Sequence, residues 1–299
     1  MRSKRWWVIT LVAGGSACAG QMAQEAVRVA PRTALAAEQA NFTEAELQLI
    51  AKHCPLGRPR LDPDFGHGPT RFVIREGFVL QHSSRDKIPL WVCEGISTAQ
   101  LVGSLQRAEA FKPDPRLPAG ERSELKDYRG SGYDRGHMAP AADQSVDEEL
   151  KRETFFLSNM APQKNNLNAQ VWAALEAKAR DWLLARGGGF IITGPIFYDP
   201  AEEDPATADG LINFFEIGPG KVAVPTHFYK LVVARSDAGE LTGIGFVLEH
   251  RPYPRPFDFA PLIRTIDWIE QQTGIDFMPD LGAVNEGPME STVPELWLP

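Results

Sequence analysis

The stretch Tyr128-Arg-Gly-Ser-Gly-Tyr-Asp-Arg-Gly-His-Met-Ala-Pro140 carries the most informative residues of this 299-residue chain. Its glycines predict a turn that leads into a strand bearing Asp134, Arg135 and His137. Phosphodiester hydrolysis needs a base that activates water and a fixed cation that binds the phosphate, and a histidine beside an arginine supplies both. Taken alone, the string is weak evidence for catalysis. Asp134 and Arg135 could form a surface ion pair, and a lone histidine is more often structural than catalytic.

Five later blocks follow this segment in the chain. They span residues 155–164, 167–176, 193–197, 222–230 and 269–277. Their order and content, together with the segment around His137, resemble those of the DNA/RNA non-specific endonucleases, which are ββα-metal nucleases of the endonuclease G type. The likeness extends over residues 71–281. It implies a hydrolase that cleaves phosphodiester bonds within DNA and RNA and leaves 5′-phosphate ends.

The mixture of predicted elements indicates an α+β fold, because strands and helices alternate without regular βαβ units. Residues 70–75 and 78–82 predict a hairpin, and apolar residues at helical spacing predict a long helix over 167–186. A last helix is predicted over 261–272. Further strands are predicted at residues 88–93, 190–193, 222–224, 228–233 and 241–248. The resemblance implies a mixed or antiparallel sheet core, flanking helices and a ββα-metal motif.

The chain divides into four segments by composition and by the extent of the resemblance. They are a signal peptide at 1–19, an N-terminal extension with a short helix at 20–69, the endonuclease domain at 70–281 and a C-terminal tail at 282–299. Thr43 and Glu46 have the spacing of a capping box, so the short helix is expected to begin there.

The N-terminal segment has a basic start, a short apolar centre and small residues at Ala17-Cys-Ala19. This pattern is typical of a signal peptide and predicts export to the periplasm or the extracellular space. A retained apolar helix is the alternative reading. A lipid-modified Cys18 ranks lower, because the usual large aliphatic residue three positions earlier is missing. No other apolar run is long enough to span a bilayer.

Two cysteines remain after removal of the leader, Cys54 and Cys93. In an exported protein such a pair indicates a disulfide that joins the N-terminal extension to the first strands. Two independent buried thiols are the other interpretation, since pairing depends on distances that a sequence does not contain.

The net charge of −8 becomes −11 without the leader, because 28 basic residues then face 39 acidic ones. This balance argues against a protein that coats nucleic acid through a broad cationic surface. It is compatible with a nuclease, which needs positive potential only along its cleft.

His137 is the candidate general base, since a neutral imidazole accepts a proton from water near pH 7. The resemblance implies that Asn168 binds a divalent metal directly through its amide oxygen, with Mg²⁺ expected and Mn²⁺ as a substitute. A cap for the long helix is the other use of Asn168. Glu176 lies eight residues further, which is ~12 Å along an α-helix with ~80° of rotation. It is therefore expected to hold the metal through water.

Arg135 and Arg107 are candidate clamps for the reacting phosphate, because guanidinium groups bind phosphate oxygens and stabilise growing charge. The Arg107 assignment rests on the family likeness of the segment at 107–111. Asp134 is expected to orient the loop or Arg135. Asn159 and Gln163 are expected to support the site without taking part in the chemistry.

Partners follow from the same resemblance. DNA and RNA are the expected substrates, with weak base preference because the site grips phosphate and backbone. Some relatives dimerise, which makes a homodimer a candidate assembly, although the sequence contains no recognisable self-complementary surface. Either an inhibitor protein or a disulfide that forms only after export would keep such a nuclease silent in the cytosol, so an inhibitor is a further candidate partner. A binding protein that kept the fold without activity is the main rival interpretation, and an enzyme for small phosphate esters is another.

Overall fold

The computed structural model describes residues 2–6, 42–105, 110–282 and 288–297, with only the backbone given for the first of these. Arg107 and most of the predicted signal peptide therefore lie outside the described residues. The helices are α1 Glu44–His53, α2 Thr98–Leu101, α3 Leu125–Tyr128, α4 Glu148–Glu153, α5 Ala173–Ala185 and α6 Ile266–Thr273. A π-helical turn, Leu167–Trp172, runs directly into α5. Short 3₁₀ turns occupy Pro63–Phe65, Leu157–Asn159, Pro200–Glu203 and Ala260–Leu262.

The strands form one large sheet and three small ones. In chain order they are β1 Arg2–Trp6, β2 Arg60–Leu61, β3 Thr70–Ile74, β4 Val79–Ser83, β5 Pro89–Ile96, β6 Asp134–His137, β7 Met160–Gln163, β8 Gly189–Ile196, β9 Leu211–Ile217, β10 Val222–Val224, β11 His227–Arg235, β12 Leu241–Glu249, β13 Ile263–Arg264 and β14 Ile275–Asp276. The central sheet has the order β13-β12-β11-β8-β5-β4-β3. The small sheets are β1-β9-β10, β2-β14 and β6-β7.

Every strand pair in the central sheet is antiparallel. Successive residues of β8 alternate between two hydrophobic clusters, with Ile191 in one and Ile192 in the other. Leu175 and Trp182 of α5 cover the first face, while Ile50 of α1 and Ile269 of α6 cover the second. The sheet is therefore buried on both faces between helices, and the predicted α+β class with an antiparallel core is confirmed.

The last helix begins later than predicted. Its prediction over residues 261–272 was wrong at the start, because Thr265 caps α6 by accepting a hydrogen bond from the Trp268 amide at 3.1 Å. The preceding residues belong to a 3₁₀ turn and to β13, which pairs with β12. The predicted end is correct, since Gly274 takes the left-handed conformation that ends α6.

Helix α1 docks the N-terminal extension onto the central sheet. Its capping box is confirmed, with the Glu46 amide donating to Thr43 Oγ1 and the Thr43 amide donating to Glu46 Oε2. At its other end, His53 Nδ1 accepts a hydrogen bond from the Gly95 amide of β5 at 2.9 Å. A Cβ atom at residue 95 would overlap the Lys52 carbonyl oxygen, so only glycine permits this approach.

The packing of α1 against β5 brings Cys54 and Cys93 together. Both are buried and both are free thiols in this structure, and a disulfide between them stays a prediction. Burial raises the pKa of Cys93 well above its ordinary value, and a hydrogen bond with Cys54 adds to the shift. The contact between extension and sheet thus exists without a covalent bond. Within the described residues, no helix is both long and apolar enough to cross a membrane.

The contact between His53 and the sheet predicts sensitivity to acid. His53 Nε2 donates to the Glu76 carbonyl at 2.9 Å while Nδ1 accepts from Gly95, so the ring is held neutral. Burial lowers the pKa of His53 to about 4, below the ordinary value near 6.5. The folded state therefore binds fewer protons than the unfolded state below pH 6.5, and stability falls as the pH drops from 6.5 through 4.

We expect His53→Gln to reduce stability at pH 7 and to flatten this loss. The difference in unfolding free energy between wild type and variant should shrink by on the order of 3 kcal/mol between pH 7 and pH 4. Urea unfolding at four pH values measures it. A difference that stays constant with pH would contradict the neutral-ring assignment.

Candidate active site

The site lies where the small β6-β7 hairpin meets the π-helical turn and α5. His137 pairs with Met160 and Asp134 pairs with Gln163, so the two strands are antiparallel and the helix follows directly. This is the predicted ββα arrangement. A cavity of about 520 Å³ beside it is lined by Arg135, His137, Asn168 and Glu176. A second cavity of about 390 Å³ lies beside α1; Cys54 is part of its lining, but the residues predicted to take part in catalysis or metal binding are not.

Aromatic rings hold His137 and Arg135 in place. The His137 ring lies edge-on to Phe155 with centroids 5.0 Å apart, and 5.7 Å from the Phe111 ring. The Arg135 guanidinium lies over Phe111 at 4.4 Å. Because β6 is extended, residues 135 and 137 lie on the same face of the hairpin and both reach the cavity. The candidate base His137 and the guanidinium of Arg135 thus lie on one wall of the cavity.

Asp134 fixes the orientation of Asn168. Its Oδ2 accepts hydrogen bonds from Asn168 Nδ2 at 3.0 Å and from Asn165 Nδ2 at 2.9 Å. A carboxylate only accepts, so the amide nitrogen of Asn168 faces it and the amide oxygen points the other way. Asn168 lies inside the π-helical turn and its side chain caps no helix N–H. Asn165 was missed from the sequence, although its place three residues before Asn168 was a usable signal.

Glu176 forms part of the cavity wall one helical segment beyond Asn168. Its Oε1 is buried and has no hydrogen-bond partner in the described part of the chain. Burial raises the pKa of Glu176 to about 7, and the ammonium of Lys230 opposes that rise. Glu176 therefore has a carboxylate oxygen that can still accept a hydrogen bond or bind a cation, and it lines the same cavity as Asn168.

Asn159 supports the chain that leaves His137. Its Oδ1 accepts from the Ala139 amide at 2.9 Å, and its Nδ2 donates to the carbonyls of Ala139 and Thr154. Gln163 lies buried against Gly136, where a Cβ atom would overlap the Gln163 side chain. The structure thus places Gln163 in β7, directly beside β6, and Asn159 in the turn that precedes β7. Arg107 lies outside the described residues, two positions beyond Leu105, which lines the cavity.

A buried charge cluster, which was missed from the sequence, lies behind Glu176. It consists of Glu94, Asp143, Glu176, Arg180 and Lys230. Arg180 pairs with Asp143 at 2.9 Å. Lys230 is fully buried in β11, where it donates to Thr193 Oγ1 at 2.7 Å. A lysine inside the apolar run 228–233 was the available signal.

The cluster is electrically neutral when one of its three carboxyl groups keeps a proton, since it contains two basic groups. Burial raises the pKa of Glu94 well above its ordinary value, and the Asp143 carboxylate adds to the rise. Neither oxygen of Glu94 has a hydrogen-bond partner among the described residues. Glu94 is therefore the group that keeps the proton. The positive charge of Lys230 then balances the negative charge of Glu176, and the charge of Arg180 balances that of Asp143.

The antiparallel sheet with its ββα unit, and a cleft that joins histidine, arginine, asparagine and glutamate, define a ββα-metal nuclease. The comparisons give the same answer at the level of sequence. The model of the DNA/RNA non-specific endonuclease family matches residues 61–283, and the chain belongs to that family. It is accordingly a hydrolase of the nuclease class, in a family that depends on divalent metal.

Named relatives cover most of the chain. Human "Endonuclease G, mitochondrial" is 33% identical over 215 residues, which are 72% of this chain and 71% of that protein. "Nuclease C1" of Cunninghamella echinulata is 32% identical over 214 residues, covering 70% of this chain and 83% of that one. A solved complex of EndoG with EndoGI, described as revealing the mechanism of EndoG inhibition, matches with a TM-score of 0.71 and 28% identity. The match covers 79% of this chain and 94% of that chain.

Asn159 should matter for stability far more than its neighbour Asn165. Asn159→Ala removes three buried hydrogen bonds, so we expect a loss of about 2–4 kcal/mol. Asn165→Ala removes one exposed bond to Asp134, with an expected loss below about 1 kcal/mol. Urea unfolding of the two variants gives the comparison. Equal losses would mean that the Asn159 bonds do not hold the loop.

The protonation of Glu94 can be tested in the same way. Lys230→Met should cost about 3–5 kcal/mol, because it leaves buried carboxyl groups without their cation. Glu94→Gln mimics the protonated carboxyl and should cost less than about 1 kcal/mol near pH 7. Unfolding is measured in EDTA. A Glu94→Gln variant as unstable as Lys230→Met would contradict a neutral Glu94.

Proposed function

We propose that this protein is an exported Mg²⁺-dependent endonuclease that hydrolyses DNA and RNA to 5′-phosphate ends. One observation carries the proposal: His137 and an Asn168 amide oriented by Asp134 line a single cavity. A protein that only bound nucleic acid would not need a base and an oriented oxygen ligand together.

The residues present fit a hard divalent cation. The Asn168 amide oxygen points away from Asp134, and a buried Glu176 oxygen lacks a hydrogen-bond partner within the described residues. Oxygen donors of this kind, few in number, suit Mg²⁺ because it keeps several of its waters. Asn168 would hold the cation directly and Glu176 through water, and Mn²⁺ would be accepted as a substitute. When bound, the cation supplies positive charge beside the phosphate and the departing 3′-oxygen.

The protein's own groups would carry out the rest. His137 takes a proton from the attacking water, and its contacts with Phe111 and Phe155 keep the ring from turning away. Arg135 binds a phosphate oxygen as negative charge grows, with its guanidinium stacked on Phe111. Arg107 remains a proposed second clamp on the basis of the family resemblance.

Weak base preference would follow from the same geometry. The groups that line the cavity address phosphate and water, and phosphate contacts carry no sequence information directly. DNA and RNA share that backbone feature, so both are proposed substrates.

The proposal includes export, which is supported by the basic and apolar pattern of residues 1–19. An inhibitor that silences the enzyme before export is proposed as a partner, and a homodimer stays a prediction. N-terminal sequencing of the protein recovered outside the cytoplasm should give a start near Gly20. Recovery of the chain with its first residues intact would remove the signal peptide from the proposal.

Replacement of the proposed base and ligand tests the chemistry. His137→Ala should lower turnover of circular DNA and of RNA by at least about 100-fold, because the group proposed to take the proton from the attacking water is lost. Asn168→Ala should raise the Mg²⁺ concentration needed for half-maximal rate. His67→Ala, a histidine outside the cavity, is the matched control and should keep wild-type rates.

The two variants separate the outcomes. Wild-type rates in His137→Ala would eliminate it as the base. No cleavage by the wild-type protein with any divalent metal would indicate a silent fold, and the function would then be binding.

A further inference from the structure

A segment outside the catalytic cavity alternates arginines and aromatic residues. It reads Arg251-Pro-Tyr-Pro-Arg-Pro-Phe257 and directly follows β12 and His250. Proline fixes φ and has no N–H, so this segment is stiff and does not pair as a strand. The two arginines are exposed, while the two rings are half-buried against the main hydrophobic cluster. We call Arg251, Tyr253, Arg255 and Phe257 the Arg–aromatic strip.

Each ring of the strip carries a guanidinium. Arg251 lies over Tyr253 at 4.5 Å, and Arg255 lies over Phe257 at 5.2 Å. The Tyr253 hydroxyl donates to the Glu249 carbonyl at 3.3 Å, which helps to fix the ring. A guanidinium stacked in this way offers in-plane donors to phosphate and an outer face on which a base can stack. The strip therefore contains two preformed platforms.

Of the two arginines in the strip, Arg255 is the one whose charge is less neutralised by its neighbours. Arg251 Nε donates to a Glu249 carboxylate oxygen at 2.5 Å, and both side chains are about half exposed. Asp258 is exposed beyond the strip and accepts a hydrogen bond from the Ala260 amide. Arg255 forms no ion pair with any residue that the structure describes. In a chain of net charge −8, this is a local site where an anionic polymer is tolerated.

His250 connects the strip to the active-site cleft. Its Nε2 accepts a hydrogen bond from the Lys164 amide at 2.7 Å, and its Nδ1 donates to the Pro225 carbonyl. Lys164 in turn lies over the Tyr133 ring at 3.8 Å, and that ring meets His250 edge-on. Tyr133 immediately precedes Asp134, the residue that orients Asn168. The pair Lys164–Tyr133 thus leads from the cleft to the strip.

We propose that the Arg–aromatic strip binds an unpaired stretch of the substrate strand to one side of the scissile phosphate. Arg251 and Arg255 bind its phosphates, and bases stack on the two platforms. Stacking tolerates every base, so the strip adds affinity without sequence preference. The inference rests on the proposed function and adds a length requirement to it: a strand that reaches the strip binds more tightly than one that fills only the cavity.

The test compares two arginines on single-stranded DNA of about 4 and about 20 nucleotides, lengths that span the range of single-strand binding sites. Arg255→Glu is compared with Arg235→Glu, an exposed arginine at the far end of the β11–β12 hairpin. The charge change is identical. For Arg255→Glu we expect a KM about tenfold higher on the long strand, less than about a twofold change on the short strand and an unchanged kcat. Arg235→Glu should leave both KM values near wild type.

Phe257→Leu provides a second readout that does not alter charge. It removes the ring but keeps apolar bulk in the core, and should raise the long-strand KM by about fivefold. Equal effects of Arg255→Glu and Arg235→Glu, or equal effects on long and short strands, would overturn the proposal.

Failure of the catalytic proposal is distinguishable from failure of this one. A wild-type protein that cleaves neither strand refutes the nuclease activity, and the strip is then judged by binding of the long strand in EDTA at several salt concentrations. Weaker binding and a shallower salt dependence in Arg255→Glu alone would support the strip. Unchanged binding in that variant would overturn it.

Discussion

The Asp134 carboxylate and the two amide groups that it binds are the contact on which the rest of the site depends. A carboxylate can only accept, so it determines which end of the Asn168 amide faces β6 and which end faces the cavity. The same atom binds Asn165 and joins the strand to the turn before α5. His137 lies on the same strand, β6. The Asp134 carboxylate therefore fixes the position of the Asn168 amide oxygen relative to the His137 ring.

Beneath this contact, electrostatics link the central sheet to the cleft. Lys230 of β11 and Glu94 of β5, the two strands that flank β8, are buried close to Asp143, Glu176 and Arg180. Buried charges are stable only when they balance, since burial penalises each unpaired one by several kcal/mol. The ionisation of Glu176 on α5 therefore depends on Lys230, which lies in the sheet against which α5 packs.

Patterns within short stretches of sequence predicted much of this structure. Features that depend on which distant segments pair with one another could not be predicted in this way. The hairpin of β3 and β4, the long helix before Gly187 and the strand bearing His137 all follow from spacing within a few residues. The buried charge cluster does not, because it depends on strand register, with Lys230 opposite Thr193 and Glu94 opposite Ile191. The start of α6 was misplaced because Pro261 suits a first helical turn, whereas the Thr265 cap determines where the helix begins. Strand β9 was missed from the sequence, although five of its seven residues are apolar and its first buried residues alternate with exposed ones.

The π-helical turn Leu167–Trp172 changes the helical phase between Asn168 and Glu176. In an uninterrupted α-helix the eight-residue separation would rotate Glu176 about 80° away from Asn168. A π turn contains more residues, so each residue in it advances the chain by roughly 80° instead of 100°. Four such steps cancel nearly the whole offset. The side chains of Asn168 and Glu176 therefore face the same direction, at different heights along one continuous helix, and the extra residue that the π turn accommodates is what aligns them.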